Sequence, residues 1–230
     1  MNETARIKEA YASRNHIKDR KMYSYFSPSA LFNHQQRERA TVAALKGNGF
    51  DSLSDKLIMD VGCGVGRVLR DFVKYGANPE NCYGIDLLSD RIMEAKRTSP
   101  NMHFTCGNAE EITFDNNLFD IVLSFTVFTS ILDEKMKRNI ASEMIRVLSP
   151  AGIIIWYDYH MDNPYNSSVS GVKKKEIYEL FPDCNIELDR IILAPPIVRV
   201  LAPYSLLFCY LLENIKILNT HYLGVIRKKD

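Results

Sequence analysis

The chain has 230 residues, 46% hydrophobic and 25% charged, with a formal net charge of +1. That length suits one large domain burying roughly 70% of its unfolded surface. The composition excludes a disordered chain, and the near-zero charge excludes a broad basic face for nucleic acid.

Along the chain, Met1 to Asp19 is polar and charged and lacks the apolar core of a signal peptide. The first fifty residues read as helix, turn, helix. Ser27-Pro28-Ser29 supplies a cap and a helix-start proline before Ala30 to Leu45, and Gly47-Asn48-Gly49 ends that helix. Residues 1–50 are expected to form an N-terminal helical lid or extension, and 51–230 the main domain. Lys56 to Val61 is a short apolar run flowing into a glycine turn, and Val65 to Tyr75 follows with helical spacing. Cys82 to Leu87 is the next strand, and Ser89 caps a helix reaching Arg97. Met102 to Thr105 makes a third strand and Phe119 to Phe125 a fourth.

Asp133 to Leu148 is an amphipathic helix, with Ser149-Pro150-Ala151-Gly152 as its terminator and turn. Ile153 to Tyr157 is a wholly apolar fifth strand, as expected where helices cover both faces. Val172 to Phe181 is helical, with Lys173-Lys174-Lys175 a solvated face, and Ile186 to Leu193 is a sixth strand. Val198 to Leu218 is an apolar helical region, and Tyr222 to Ile226 is the last strand. Uncharged residues run from Val200 to Leu212, interrupted by Pro203, too short for a membrane span of about 20 residues. The whole apolar segment from Pro195 to Leu212 is expected to be core. Covering an acceptor pocket, or peripheral approach to a membrane bearing a lipid-linked acceptor, are the alternatives.

Alternating strands and helices imply a doubly wound, mainly parallel α/β sheet. Ligands in such sheets sit beyond the carboxyl ends of the strands. Five cysteines (Cys63, Cys82, Cys106, Cys184 and Cys209) are odd in number and include no C-x-x-C pair. Neither a disulfide framework nor a zinc site is expected, and a reduced, cytoplasmic compartment follows.

The chemistry centres on Asp60-Val61-Gly62-Cys63-Gly64-Val65-Gly66-Arg67, joining the first strand to its helix. Glycines permit turn dihedrals and close approach of a ligand, and the helix start beyond offers free N–H groups. A dinucleotide loop would read G-x-G-x-x-G, but Arg67 stands where its third glycine belongs. Asp86, closing the second strand with Leu87 behind it, is placed to accept hydrogen bonds from both hydroxyls of a ribose. Gly107-Asn108-Ala109-Glu110 follows the third strand and is placed to reach an adenine edge.

With these motifs the chain resembles class I S-adenosylmethionine-dependent methyltransferases over Lys56 to Ile155. Asn108 departs from the aspartate usual there. Further segments resemble a bacterial group associated with surface-polysaccharide (glycan) biosynthesis. They are Tyr23-Ser24-Tyr25-Phe26, Gln36-Arg37-Glu38-Arg39, Phe125-Thr126-Val127-Phe128, Trp156-Tyr157-Asp158 with Asn163-Pro164, Leu201-Ala202-Pro203 and Thr220-His221-Tyr222-Leu223. The resemblance implies a Rossmann-like sheet of seven strands in the order 3-2-1-4-5-7-6, the last antiparallel. It also implies S-adenosyl-L-methionine as cofactor and O-methylation of a sugar hydroxyl. Expected cofactor contacts are Asp60, Gly62, Cys63, Gly64, Gly66, Arg67, Asp86, Leu87, Asn108, Ala109, Glu110, Ser124 and Phe125. Tyr25 is expected to stack there and Arg37 to pair with the cofactor carboxylate.

A sugar hydroxyl is a poor nucleophile, so transfer needs in-line placement and a base. His221 opens the last strand, whose antiparallel course delivers its beginning to the cofactor edge. Asp158 ends the fifth strand at that edge, as base or as the group orienting a histidine, and His160 is a third candidate. For His34 a structural or surface role is favoured. No compact Asp/Glu/His cluster of ligand spacing is visible, so no metal is expected. A small-molecule or glycan acceptor and a monomer or homodimer are expected, without nucleic acid or a transmembrane segment. The rival readings are a methyltransferase for a quinone, lipid or other small molecule, a nicotinamide-dependent oxidoreductase, and a non-catalytic S-adenosylmethionine-binding module. Arg67 and the absence of a Tyr-x-x-x-Lys-type pair speak against the oxidoreductase.

Overall fold

The computed structural model describes residues 2–14, 24–163 and 166–229. Two helices come first, α1 (Glu3–Arg14) and α2 (Pro28–Gly47). Then follow β1 (Ile58–Val61), α3 (Arg67–Lys74), β2 (Cys82–Asp86), α4 (Ser89–Thr98), β3 (His103–Cys106) and β4 (Phe119–Phe125). The second half holds α5 (Glu134–Val147), β5 (Leu148–Tyr159), α6 (Lys174–Leu180), β6 (Cys184–Leu193), α7 (Pro195–Leu201), α8 (Leu206–Leu212) and β7 (Asn219–Lys228).

Among the described residues the strands form one seven-stranded sheet in the order β3-β2-β1-β4-β5-β7-β6. The first five strands pair in parallel, and β7 runs antiparallel to both β5 and β6. This is the α/β order and the antiparallel last strand that the resemblance implies.

Side chains alternate across the sheet. On one face Met59, Val61, Ile154 and Trp156 pack with Met136, Ile140 and Met144 of α5 and with Phe181. On the other, Ile58, Ile121, Leu123 and Ile155 pack with Leu69 and Phe72 of α3 and Leu45 of α2. Each such fully buried side chain contributes about 1.5–3 kcal/mol. Asp133 caps α5 by accepting the Met136 N–H at 2.6 Å, which fixes where that helix starts.

Two expectations are corrected. Ser149 to Gly152 is not a free turn, because β5 already begins at Leu148, paired with Phe119. A register shift between Phe119 and Ile121 absorbs the turn-like residues. Gly152 is required there, since a Cβ would lie 2.9 Å from the Asp120 carbonyl oxygen. The apolar segment at 195–212 is not core either. It breaks into α7 and α8, with Val198, Ala202 and Cys209 buried and most of its large side chains exposed.

The four residues 36–39 of α2 fasten this helix to the sheet side of the molecule. Gln36 is buried and accepts the Leu193 N–H at 2.9 Å. Arg37 pairs with Asp71 of α3, Glu38 with Lys74 and Arg39 with Glu213.

Candidate functional site

The loop after β1 folds back onto β2: the N–H groups of Gly62 and Cys63 both donate to the Ile85 carbonyl, at 2.8 and 3.0 Å. Gly62, Gly64 and Gly66 take φ of 73°, 54° and 75°, a left-handed backbone that side chains disfavour. Asp86 ties this loop to the end of β2. One carboxylate oxygen accepts the Gly64 N–H at 2.8 Å and the other accepts the Leu88 N–H at 2.9 Å. Each oxygen keeps a lone pair for a further donor.

Beneath the loop, Asp60 is buried and its Oδ2 has no hydrogen-bond partner. Burial, reinforced by the Asp86 charge and opposed by Arg37, pushes its carboxyl well above the usual range. Cys63 is also buried, which raises its thiol strongly, so it is packing rather than a nucleophile.

A first cavity, about 740 Å³ of space open in part to solvent, lies at this edge. Gly62, Asp86, Leu87, Asn108, Ala109 and Phe125 line it, as do Thr126 and Val127. Thr126 has φ of 58°, an outlier for a β-branched residue, and its N–H donates to the Tyr157 carbonyl at 2.7 Å. Such a conformation costs on the order of 1–3 kcal/mol and is held by its surroundings.

Of the residues expected here, Asp60, Cys63, Gly64, Gly66, Arg67, Glu110, Ser124 and Tyr25 do not line this cavity, whereas Asn108 does. Asn108 accepts the Glu110 N–H at 3.1 Å and donates to Glu110 Oε2 at 2.8 Å. Glu110 turns away to accept from Asn139 of α5 at 2.7 Å, so it braces the segment. Ser124 is buried in β4 with an unpartnered hydroxyl. Tyr25 stacks on His34 at 4.7 Å between ring centroids, and the Arg67 guanidinium lies 5.3 Å from the Tyr25 ring. Arg67 also meets His34 Nε2 at 3.0 Å, so this trio forms a stack beside the start of α3. Tyr23 and Pro164 lie outside the described residues.

Conversely, α1 supplies wall residues that no motif announced: Ile7 and Tyr11 line the first cavity. The helix is fastened by polar contacts across the sequence. Arg6 donates to the Ser130 carbonyl at 2.6 Å, Glu3 accepts the Leu132 N–H at 2.6 Å, and Tyr11 and Ser130 share a 2.9 Å hydroxyl contact.

A second cavity, about 680 Å³ of space open in part to solvent, lies over the ends of β5 and β7 on the α2 side. Its lining is polar and aromatic: Asn33, His34, Arg37, Tyr157, Tyr159, Arg199 and His221 among others. Arg37 therefore sits in this wall, paired with Asp71 at 2.9 Å, and not in the first cavity as expected.

His221 is sandwiched between the rings of Tyr157 and Tyr159, with centroids 4.7 and 3.7 Å away. The Thr220 hydroxyl donates to the Ile192 carbonyl at 3.3 Å, which leaves its lone pair to accept from His221 Nδ1–H at 2.9 Å. That assigns the hydrogen to Nδ1 and leaves Nε2 as the basic nitrogen. Burial, with the nearby His160 and Arg37, lowers the imidazole to about 3, so it is neutral at ordinary pH.

Asp158 does not orient His221. In the β5–β7 register Tyr159 faces His221 while Asp158 faces Tyr222, so the two side chains leave opposite faces of the sheet. Asp158 accepts from the Thr129 N–H and hydroxyl at 3.1 and 2.7 Å and from the Tyr159 N–H at 3.0 Å. Burial raises its carboxyl to about 6 despite those bonds. His160 shares that opposite face: its Nε2 meets the Asn219 carbonyl at 2.8 Å and its ring packs on Tyr222. Neither residue lines the second cavity. Among the described residues, no His/Cys/Asp/Glu group could hold a metal ion.

Comparison with known proteins agrees with this geometry. Residues 58–152 match the family described as Methyltransferase domain. The chain is similar to the phthiotriol/phenolphthiotriol dimycocerosates methyltransferase of Mycobacterium leprae, 30% identical over 114 residues, covering 49% of this chain and 41% of that enzyme. It is similar to the sterol 24-C-methyltransferase erg6 of Aspergillus fumigatus, 30% identical over 116 residues, covering 48% and 29%. The chain thus spans less than half the length of these two relatives. In structure it is similar to an S-adenosylmethionine-dependent methyltransferase from Clostridium acetobutylicum, with a TM-score of 0.61 and 10% identity, covering 85% of this chain and 92% of that one. The chain therefore has the class I methyltransferase fold, whose cofactor is S-adenosyl-L-methionine, with its methyltransferase-domain match at residues 58–152.

Proposed function

We propose that the chain is an S-adenosylmethionine-dependent methyltransferase that holds the cofactor in the first cavity and the methyl acceptor in the second. One observation carries this reading: the cavities share a wall, where the Phe125 ring of one meets the Tyr157 ring of the other, 5.4 Å between centroids. The residues present fit the cofactor. Asp86 matches two ribose hydroxyls, and Leu87 with Ala109 offers an apolar slot for a base.

When bound, S-adenosylmethionine supplies an electrophilic methyl group on a sulfonium. Phe125, Thr126 and Val127 form the wall against which that end would rest. Tyr157 and Tyr159 offer faces for the acceptor, and His221 Nε2 takes the proton released from its hydroxyl. Our acceptor class is a sugar hydroxyl of a surface glycan or its activated precursor, since the second cavity joins aromatic faces to Asn33, Arg37 and Arg199. A lipid, quinone or other small-molecule acceptor is the second reading, the lipid favoured by the similarity to the mycobacterial dimycocerosates methyltransferase and the fungal sterol methyltransferase. We further assign residues 1–50 as a helical lid over residues 51–230, and the cytoplasm as the compartment.

Calorimetry with S-adenosylmethionine, followed by mass spectrometry of activated sugars and glycan fragments, tests the reading. Micromolar cofactor binding and a mass gain of one methylene on a hydroxylated acceptor are expected. Preferential binding of a nicotinamide dinucleotide would overturn the function. Methylation of a quinone or lipid alone would overturn the acceptor class.

A further inference from the structure

The α7–α8 hairpin is apolar on nearly every side, yet only one side is covered. No charged residue occurs from 200 to 212. Val198, Ala202 and Cys209 face inward against Phe32 of α2 and Leu193 of β6. Outward stand Tyr204, 88% exposed, Ile217 at 78%, Leu207 at 66% and Val200 at 64%, with Leu211 and Phe208 close behind. Of seventeen exposed large apolar side chains among the described residues, nine fall within residues 200–217. A helix in water keeps a single apolar stripe, so an uncovered apolar concentration of this kind marks an interaction surface.

We propose that this hairpin docks the protein on an anionic lipid bilayer. Charge selects that occupant. Arg39, Arg199 and Lys216 rim the segment against two acids, Asp189 and Glu213, which pair with Lys216 at 2.6 Å and Arg39 at 3.0 Å, leaving one positive charge in excess. A net-positive rim around an apolar tip complements acidic headgroups. Length agrees: helices of seven residues span about 10 Å each, far short of a hydrocarbon core but matched to insertion by roughly 5–10 Å. Tyr204 and Tyr210 have the amphipathic rings that settle at the headgroup level. Because α7 also contributes Pro195 and Arg199 to the second cavity, docking brings that cavity beside the bilayer.

Sedimentation of the full chain with phosphatidylcholine vesicles, with and without phosphatidylglycerol, tests this without any methyl acceptor. The protein is expected to sediment with the anionic vesicles, less with the neutral ones, and less at high salt. Leu207→Glu/Phe208→Glu and the separate variant Tyr204→Ser alter exposed side chains only. The charged double variant is expected to lose at least about tenfold in partition with an unchanged melting temperature, and Tyr204→Ser to lose less. Absence of wild-type binding, equal binding to both lipids, or undiminished binding of the double variant would each overturn the proposal. So would light scattering that shows a wild-type dimer converted to monomer by the double variant.

Discussion

Phe125 ends β4 opposite Tyr157 of the parallel strand β5, and their rings lie 5.4 Å apart with an interplanar angle of 32°. The Arg37 guanidinium lies 5.8 Å from one centroid and 5.9 Å from the other, so one cation serves both rings. Yet Phe125 lines only the first cavity and Tyr157 only the second. Tyr157→Ala is therefore expected to raise the acceptor KM by roughly tenfold, as base- or sugar-stacking rings do, while cofactor affinity stays within about twofold. Calorimetry with the cofactor and steady-state kinetics with an acceptor separate the two, and equal losses in both would break the division of labour.

Asp86→Ala should weaken S-adenosylmethionine binding by about 1.5–3 kcal/mol, the worth of hydrogen bonds to a charged acceptor. The Gly64 and Leu88 N–H groups lose their acceptor in the same variant. Asp86→Asn, which retains one acceptor oxygen, should fall between it and wild type. Titration calorimetry of the folded variants checks the order, and unchanged affinity in both would remove Asp86 from the ribose site.

His221→Asn should lower kcat by about 10²–10⁴-fold, the usual loss on removing a positioned base, with little change in cofactor affinity. Because the wild-type imidazole is held near 3, the kcat profile should show no histidine limb between pH 5 and 8. An inflection near 6.5 would mean that the proton goes to another group.

Two buried groups make opposite demands on stability. An unfolded histidine titrates at about 6.5, so as pH falls below that value the unfolded chain gains a proton that folded His221 refuses until about 3. Stability is lost across that window at up to about 1.4 kcal/mol per pH unit. Asp158 acts in reverse: its folded value of about 6 lies above an unfolded value of about 3.9. Its contribution is full below about pH 4 and is lost as pH rises through 6. Urea denaturation at pH 4, 5 and 6 should show His221→Phe gaining on wild type toward acid, and Asp158→Asn gaining toward pH 6. Parallel curves for wild type and both variants would refute the assignment.

The strand sequence and the glycine loop were legible because both depend on local pattern: apolar runs of strand length, and glycine at positions 62, 64 and 66. The faces of Asp158, His160 and His221 were not. They depend on the β5–β7 register, and one residue of register exchanges the two faces of a strand. Ser149 to Gly152 carries turn residues but lies within β5, as extra residues between the Phe119–Leu148 and Ile121–Ile153 pairs. Arg37 was expected at the cofactor, but Asp71, 34 positions away, holds it at the second cavity. Tyr11 had no motif at all. Its partner Ser130 is 119 positions away, a contact that exists only after the sheet has formed.

The docking of α1 across the first cavity ties two events that look unrelated. Ile7 and Tyr11 are part of the cavity wall, so the helix and any bound molecule shield one another from water. Whatever binding adds to the stability of the closed arrangement must, by reciprocity, be added to the cost of peeling the helix away. The amides of α1 then become a built-in gauge. Their exchange with deuterated solvent should slow in proportion to occupancy, reporting a dissociation constant for any occupant, without a label and before an acceptor is known.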